Sequence, residues 1–121
     1  MILVDTSIWI DHFHRSDATL VALLDSSLVA AHPMVIGELA VGSLANREDV
    51  LLSLGGLPSL SVPGFEEILG MIEARKLHGR GLGLIDVYLL ASALLAPGTK
   101  LWTRDKRLSD AASRLNLEYR K

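Results

Sequence analysis

Four acidic residues of this 121-residue chain stand out by their surroundings. Asp5 is the sole charged side chain from Met1 to Ile10, Glu38 the sole one between Asp25 and Arg47, and Asp86 the sole one between Arg80 and Lys100. Asp105 lies instead among Arg104, Lys106 and Arg107. Carboxylates seldom sit unpaired in apolar surroundings. Two of them about 4 Å apart repel by about 4 kcal/mol at an effective dielectric near 20, so four that converge need protons or bound cations. Hard oxygen donors with no histidine or cysteine pattern beside them select Mg²⁺ or Mn²⁺ over zinc. Divalent ions held in this way bind phosphate oxygens, activate water and stabilise the leaving oxygen of an in-line displacement, which is the chemistry of phosphodiester hydrolysis.

Each acid also has a plainer reading. At helical spacing Glu38 shares a face with Met34, Val35, Val41 and Gly42, which predicts a carboxylate aimed at the interior; the alternative is a rotated helix with Glu38 at the edge of the buried stripe. Asp86 has Leu82, Leu89, Leu90 and Ala93 as helical neighbours, and its alternative is a cap near the helix start. Asp5 could cap the first helix, a task open equally to Thr6 or Ser7. For Asp105 the default is a solvated turn or a cap. His12, His14, His32 and His78 show no metal-ligand spacing beside these acids and read as surface or capping residues.

Strands alternate with helices along the chain. Ile2 to Val4 is a short aliphatic strand, and Asp5-Thr6-Ser7 leads into a helix from about Ile8 to His14. A helix from Ala18 to Asp25 precedes Leu28 to Ala31, an apolar run typical of a strand covered on both faces. Pro33 suits the first turn of a helix reaching Leu44. Asn46 reads as the cap of a helix from Arg47 to Leu54, closed by Gly55-Gly56, and Leu60 to Val62 as either a marginal strand or loop. Pro63-Gly64 opens a helix with Glu66 and Glu67 in its first turn, Arg75, Lys76 and His78 in its last, and Gly79 to end it. Leu84 to Ala96 is apolar on nearly every side, as in a buried helix, and Pro97-Gly98 stops it. Lys100 to Thr103 is a strand, Lys106 to Leu115 a helix, and Leu117 to Tyr119 a candidate edge strand. Parallel strands need long crossovers, so the pattern predicts a three-layer α/β/α sandwich with a mostly parallel central sheet. Ligands in such folds gather at the carboxyl ends of the strands, where Asp5 and Asp105 lie.

The length suits one domain over residues 1–121, and half the residues are hydrophobic, which argues against disorder. The chain has no cysteine, which excludes disulfides, thiolate metal sites and cysteine nucleophiles, and fits a reducing cytoplasm. The N-terminus lacks a secretory pattern, and the run from Gly81 to Thr99, broken by Asp86 and Pro97, is too interrupted to span a bilayer. A net charge of −2 is not the footprint of a protein that coats nucleic acid, but with the four acids set aside the balance becomes +2. Arg104 and Lys106, beside Asp105, are candidate phosphate contacts.

Four stretches, read together, match a known pattern: Leu3-Val4-Asp5-Thr6-Ser7-Ile8-Trp9-Ile10; Val35-Ile36-Gly37-Glu38-Leu39 with Gly42; Gly79-Arg80-Gly81-Leu82-Gly83-Leu84-Ile85-Asp86 with Ala91 and Ala93; and Thr103-Arg104-Asp105-Lys106. In them the chain resembles the PIN-domain ribonucleases, in particular the VapC-like toxins of bacterial and archaeal toxin–antitoxin pairs. The resemblance implies a metal-dependent endoribonuclease in which Asp5, Glu38, Asp86 and Asp105 form an acidic pocket; the mechanism expected here has Mg²⁺ or Mn²⁺ bound chiefly by Asp5 and Asp105, with Glu38 and Asp86 completing the shell or orienting the water. Thr6 or Ser7, and Thr103, would support ligands or water through their hydroxyls. It further implies a structured RNA substrate such as tRNA, a cognate antitoxin that inserts a peptide near the pocket, and a homodimer. Family members often carry an aromatic residue where this chain has Leu108, a departure that concerns packing more than chemistry.

Other readings are a non-catalytic PIN-like domain that binds RNA or protein, a housekeeping metal-dependent nuclease, or a deoxyribonuclease, since the two-metal reaction makes no use of a 2′-hydroxyl. A phosphatase or phosphoacceptor domain would want a second acid directly after Asp5, where Thr6 and Ser7 stand.

Overall fold

The computed structural model describes residues 1–121. Three parallel strands, β1 (Ile2–Val4), β2 (Val29–Ala30) and β3 (Lys100–Trp102), lie in the order β2-β1-β3. Ile2 pairs with Val29 and with Lys100, and Val4 with Trp102. The wholly parallel sheet agrees with the α/β class expected from the alternation of strands and helices, although most of the chain is helical. β1 is central, and Leu3 and Val4 are fully buried, so the aliphatic run at the N-terminus anchors the core. The strand order reverses at β1, and in such sheets ligands bind outside the carboxyl ends of the strands that flank the reversal, here β1 and β3.

Seven helices surround the sheet: α1 (Thr6–His14), α2 (Ala18–Asp25), α3 (Pro33–Val41), α4 (Arg47–Gly55), α5 (Phe65–Ala74), α6 (Leu84–Leu95) and α7 (Lys106–Arg114). Their ends depart from sequence expectation in instructive ways. α1 begins at Thr6, two residues early, because Asp5 is its N-cap. α3 stops at Val41, with Gly42 extended at its C-cap, rather than reaching Leu44. Asn46 does precede α4, but its backbone is left-handed (φ 51°) and its side chain makes no capping bond.

The largest shift is in α5, which ends at Ala74 rather than near Gly79, leaving Lys76 and His78 outside the helix. Lys76 takes a left-handed conformation (φ 53°), and the Leu77 N–H reaches back to the Ile72 carbonyl at 3.0 Å. That closure tucks Leu77 into the core. Ser27 and Asn116 are likewise left-handed, and the leucine after each, Leu28 and Leu117, reaches back to Leu23 and Ala112. Leu60 to Val62 forms no strand; a single parallel bridge joins Ala31 to Ser59. Beyond β3 a lone parallel bridge between Leu101 and Glu118 replaces the expected edge strand.

α6 is the buried helix its composition suggests, with every residue from Leu89 to Ala93 in the interior. No helix is long and apolar enough to cross a membrane.

Candidate active site

Asp5 directly follows β1 and is buried while carrying a carboxylate. Its Oδ1 accepts the Thr6 N–H at 2.7 Å, and its Oδ2 accepts the Ser7 hydroxyl at 3.1 Å and the Thr103 hydroxyl at 2.7 Å. Three donors therefore compensate the desolvation of this anion. The two hydroxyls also accept: Ser7 Oγ takes the Arg104 N–H at 3.1 Å and Thr103 Oγ1 the Asp105 N–H at 3.0 Å. The loop after β3 is thereby fastened to the start of α1, and the Asp5 N–H bonds the Trp102 carbonyl at 2.9 Å beneath it.

Asp105 is exposed and caps α7, its Oδ1 accepting the Arg107 and Leu108 N–H groups at 2.9 and 3.3 Å. Asp86 is the third residue of α6 and is half-buried; its Oδ2 accepts the Gly83 N–H at 2.9 Å. The capping expected as the plainer reading is thus present in Asp5, Asp86 and Asp105. Glu38 departs from expectation. Its carboxylate is exposed rather than aimed at the interior, because the buried stripe of α3 runs through Val35 and Leu39 while Val41 is 91% exposed. Glu38 Oε1 instead accepts the Thr6 hydroxyl at 2.8 Å.

The electrostatics tie the four together. Burial holds the Asp86 carboxyl above the usual carboxylate range, and the negative charges of Asp5, Asp105 and Glu38 push it the same way. The four acids thus come from β1, α3, α6 and α7 to within electrostatic reach of one another, although no three acidic or imidazole side chains are drawn close enough to clasp a single ion between them. In Glu38, Asp86 and Asp105 one oxygen is engaged by the chain's own donors and the other has no partner within the protein. An all-oxygen set of carboxylates and hydroxyls, on a chain without cysteine, fits Mg²⁺ or Mn²⁺ in donor chemistry.

The candidate phosphate contacts are engaged elsewhere. The Arg104 guanidinium pairs with Asp11 and, at 3.3 Å, with Asp17, while Lys106 pairs with Asp110 at 3.3 Å. Sequence reasoning missed Asp17, which caps α2 through the Leu20 N–H; an aspartate one residue before an apolar helical stretch was the available signal. It also missed the depth of His32, which is fully buried as the cap of α3.

Residues 2–114 match the family model of the PIN domain. The chain belongs to the PIN-domain family. Ribonuclease VapC32 of Mycobacterium tuberculosis is 49% identical over 113 residues, 93% of this chain and 91% of that one, in each of two strains. Among solved structures, FitAcB from Neisseria gonorrhoeae aligns with a TM-score of 0.58 at 25% identity, covering 93% of this chain and 94% of that one. PAE2754 from Pyrobaculum aerophilum aligns with a TM-score of 0.59 at 20% identity over 91% of this chain and 78% of that one, a likeness of fold. VapC ribonucleases of the PIN-domain family are metal-dependent.

Proposed function

We propose that this PIN domain is an endoribonuclease, the toxin of a toxin–antitoxin pair, which hydrolyses RNA phosphodiester bonds with Mg²⁺ or Mn²⁺ held by Asp5, Glu38, Asp86 and Asp105. The observation that best supports the reading is that the charges of Asp5, Asp105 and Glu38, each from a separate element, all bear on Asp86. Near-half identity to a ribonuclease across almost the whole chain supports the same chemistry. A structured RNA such as tRNA as substrate, a cognate antitoxin, a homodimeric state and a cytoplasmic setting complete the proposal.

A bound divalent cation supplies charge that stabilises the scissile phosphate and lowers the pKa of water. The chain's own residues supply the rest. Thr6, Ser7 and Thr103 fix the rotamers of Glu38 and Asp5 through their hydroxyls, so these carboxylates need little reorganisation when they bind. The cap bonds of Asp86 and Asp105 orient each carboxylate and leave one oxygen toward the pocket. Arg104 and Lys106 could turn to backbone phosphates, in exchange for exposed ion pairs that are individually weak.

Purified protein should cleave RNA in Mg²⁺ or Mn²⁺ and stop when EDTA is added. Asp5→Asn should lose at least about a hundredfold in rate while remaining folded by circular dichroism. Turnover indifferent to chelator, or retained by Asp5→Asn, would reject the proposal in favour of a non-catalytic PIN-like binding domain or a different site.

A further inference from the structure

Two of the four acids ride on helices that pack against each other, Glu38 on α3 and Asp86 on α6. One side-chain hydrogen bond crosses between these elements. His32, the N-cap of α3, lies with its Nε2 2.8 Å from the Ser92 hydroxyl of α6. Its tautomer follows from its other nitrogen. The Met34 N–H donates to Nδ1 at 3.1 Å, so Nδ1 carries the lone pair, Nε2 carries the proton, and Ser92 Oγ accepts it. Both side chains are wholly interior, at 0% and 1% exposure, and burial favours the neutral imidazole that this arrangement requires.

The spacing gives the bond its leverage. Glu38 lies six residues beyond His32, and Asp86 six residues before Ser92. At 1.5 Å per residue each acid is about 9 Å along its helix from the tie. Glu38 and Asp86 also feel each other's charge across the α3–α6 contact that His32 and Ser92 bridge. The tie and the two acids thus belong to one helix–helix contact, Glu38 beyond the tie along α3 and Asp86 before it along α6.

The residue types argue for more than a cap. Serine, threonine, asparagine or aspartate would cap α3 alone, and a shorter side chain would not span to α6. An apolar pair would fill the space while leaving the helices free to slide by fractions of an ångström. A buried hydrogen bond fixes both distance and direction and is costly to leave half-made. We propose that His32 and Ser92 are positioning residues whose bond sets the separation of Glu38 and Asp86, and through it the affinity of the pocket for a divalent cation. This rests on the reading of the four acids as a cation pocket.

Two variants cut the tie in different ways. Ser92→Ala leaves the α3 cap intact, and His32→Asn keeps a capping acceptor but is too short to reach Ser92. Should either fail to fold, the other carries the comparison. Ile68→Val, a trimmed core residue of α5, serves as a control for lost stability without a lost tie. Isothermal titration with Mn²⁺ should show Kd raised about tenfold in both tie variants, the low end for loss of an outer support to a metal site, and unchanged in Ile68→Val. The double variant should bind no more weakly than the worse single one, because the same bond is lost once. Mn²⁺ affinity unchanged in both tie variants, with only the unfolding temperature lowered, would overturn the assignment while leaving the cation pocket standing. A wild-type chain that binds no Mn²⁺ would overturn both together.

Discussion

Asp86 serves two ends that pull in opposite directions. Its carboxylate caps the first turn of α6 and faces three other carboxylates from a half-buried position, so in chelator its negative charge works against the fold. The sign follows from the direction of the shift. A carboxyl whose folded-state pKa lies above its unfolded value contributes stability below the unfolded value, and that contribution is lost as pH rises through the folded one. Asp86→Asn retains an amide oxygen to accept the Gly83 N–H and removes the charge. Urea unfolding in EDTA at neutral pH should therefore find the variant more stable than wild type by a margin that shrinks on acidification; a variant less stable at neutral pH would show that the like charges do not govern this position. Asp5, Glu38 and Asp86 stand out in the sequence because isolated charge within apolar stretches is rare, whereas Asp105, among Arg104, Lys106 and Arg107, stands out only by following a strand. The orientation of Glu38 was not legible. A helix whose apolar residues nearly encircle it does not reveal from spacing which side faces inward, and the sheet and neighbouring helices settled that for α3.

At the scale of elements, each helix is legible in the sequence but several ends are not, and α5 shows one physical reason. Gly79 is the local signal for the end of α5, yet the chain turns at Lys76, where the apolar residue directly after the turn, Leu77, is buried by doing so. The same closure follows Ser27 and Asn116, and in none of the three is glycine the left-handed residue. At Lys76 and Asn116 the leucine that follows is buried, a core demand that sequence spacing cannot weigh, whereas Leu28 after Ser27 stays exposed. Non-glycine residues enter the left-handed region at a cost of about 1 kcal/mol, so Lys76→Gly should stabilise the protein by about that amount in urea titrations. Arg75→Gly, one residue earlier at φ −99°, has no such strain to relieve and should destabilise it. If both changes proved destabilising, the turn at Lys76 would not be strained in the sense argued here.

Across the whole molecule, the candidate ligands are far apart in sequence and close only in the native state. Asp5 and Asp105 are joined by β1, β3 and the hydroxyls of Ser7 and Thr103, while Glu38 and Asp86 arrive on helices from opposite sides of the chain's midpoint. One cluster of 22 buried residues runs from Leu3 to Leu117 and includes side chains from every strand and helix that carries an acid. Each acid is therefore carried by an element anchored in the same core, and an unfolded chain offers a cation only scattered carboxylates. Calorimetry should accordingly show a single unfolding transition, with calorimetric and van't Hoff enthalpies equal, as expected of one domain over residues 1–121. Mn²⁺ at a hundred times its dissociation constant should raise the stability of that transition by about 2.7 kcal/mol, and EDTA should reverse the gain. Asp5→Asn should abolish the shift without splitting the transition. A cation effect confined to part of a two-step transition would mean that the acids belong to a local surface site rather than to the fold's central crevice.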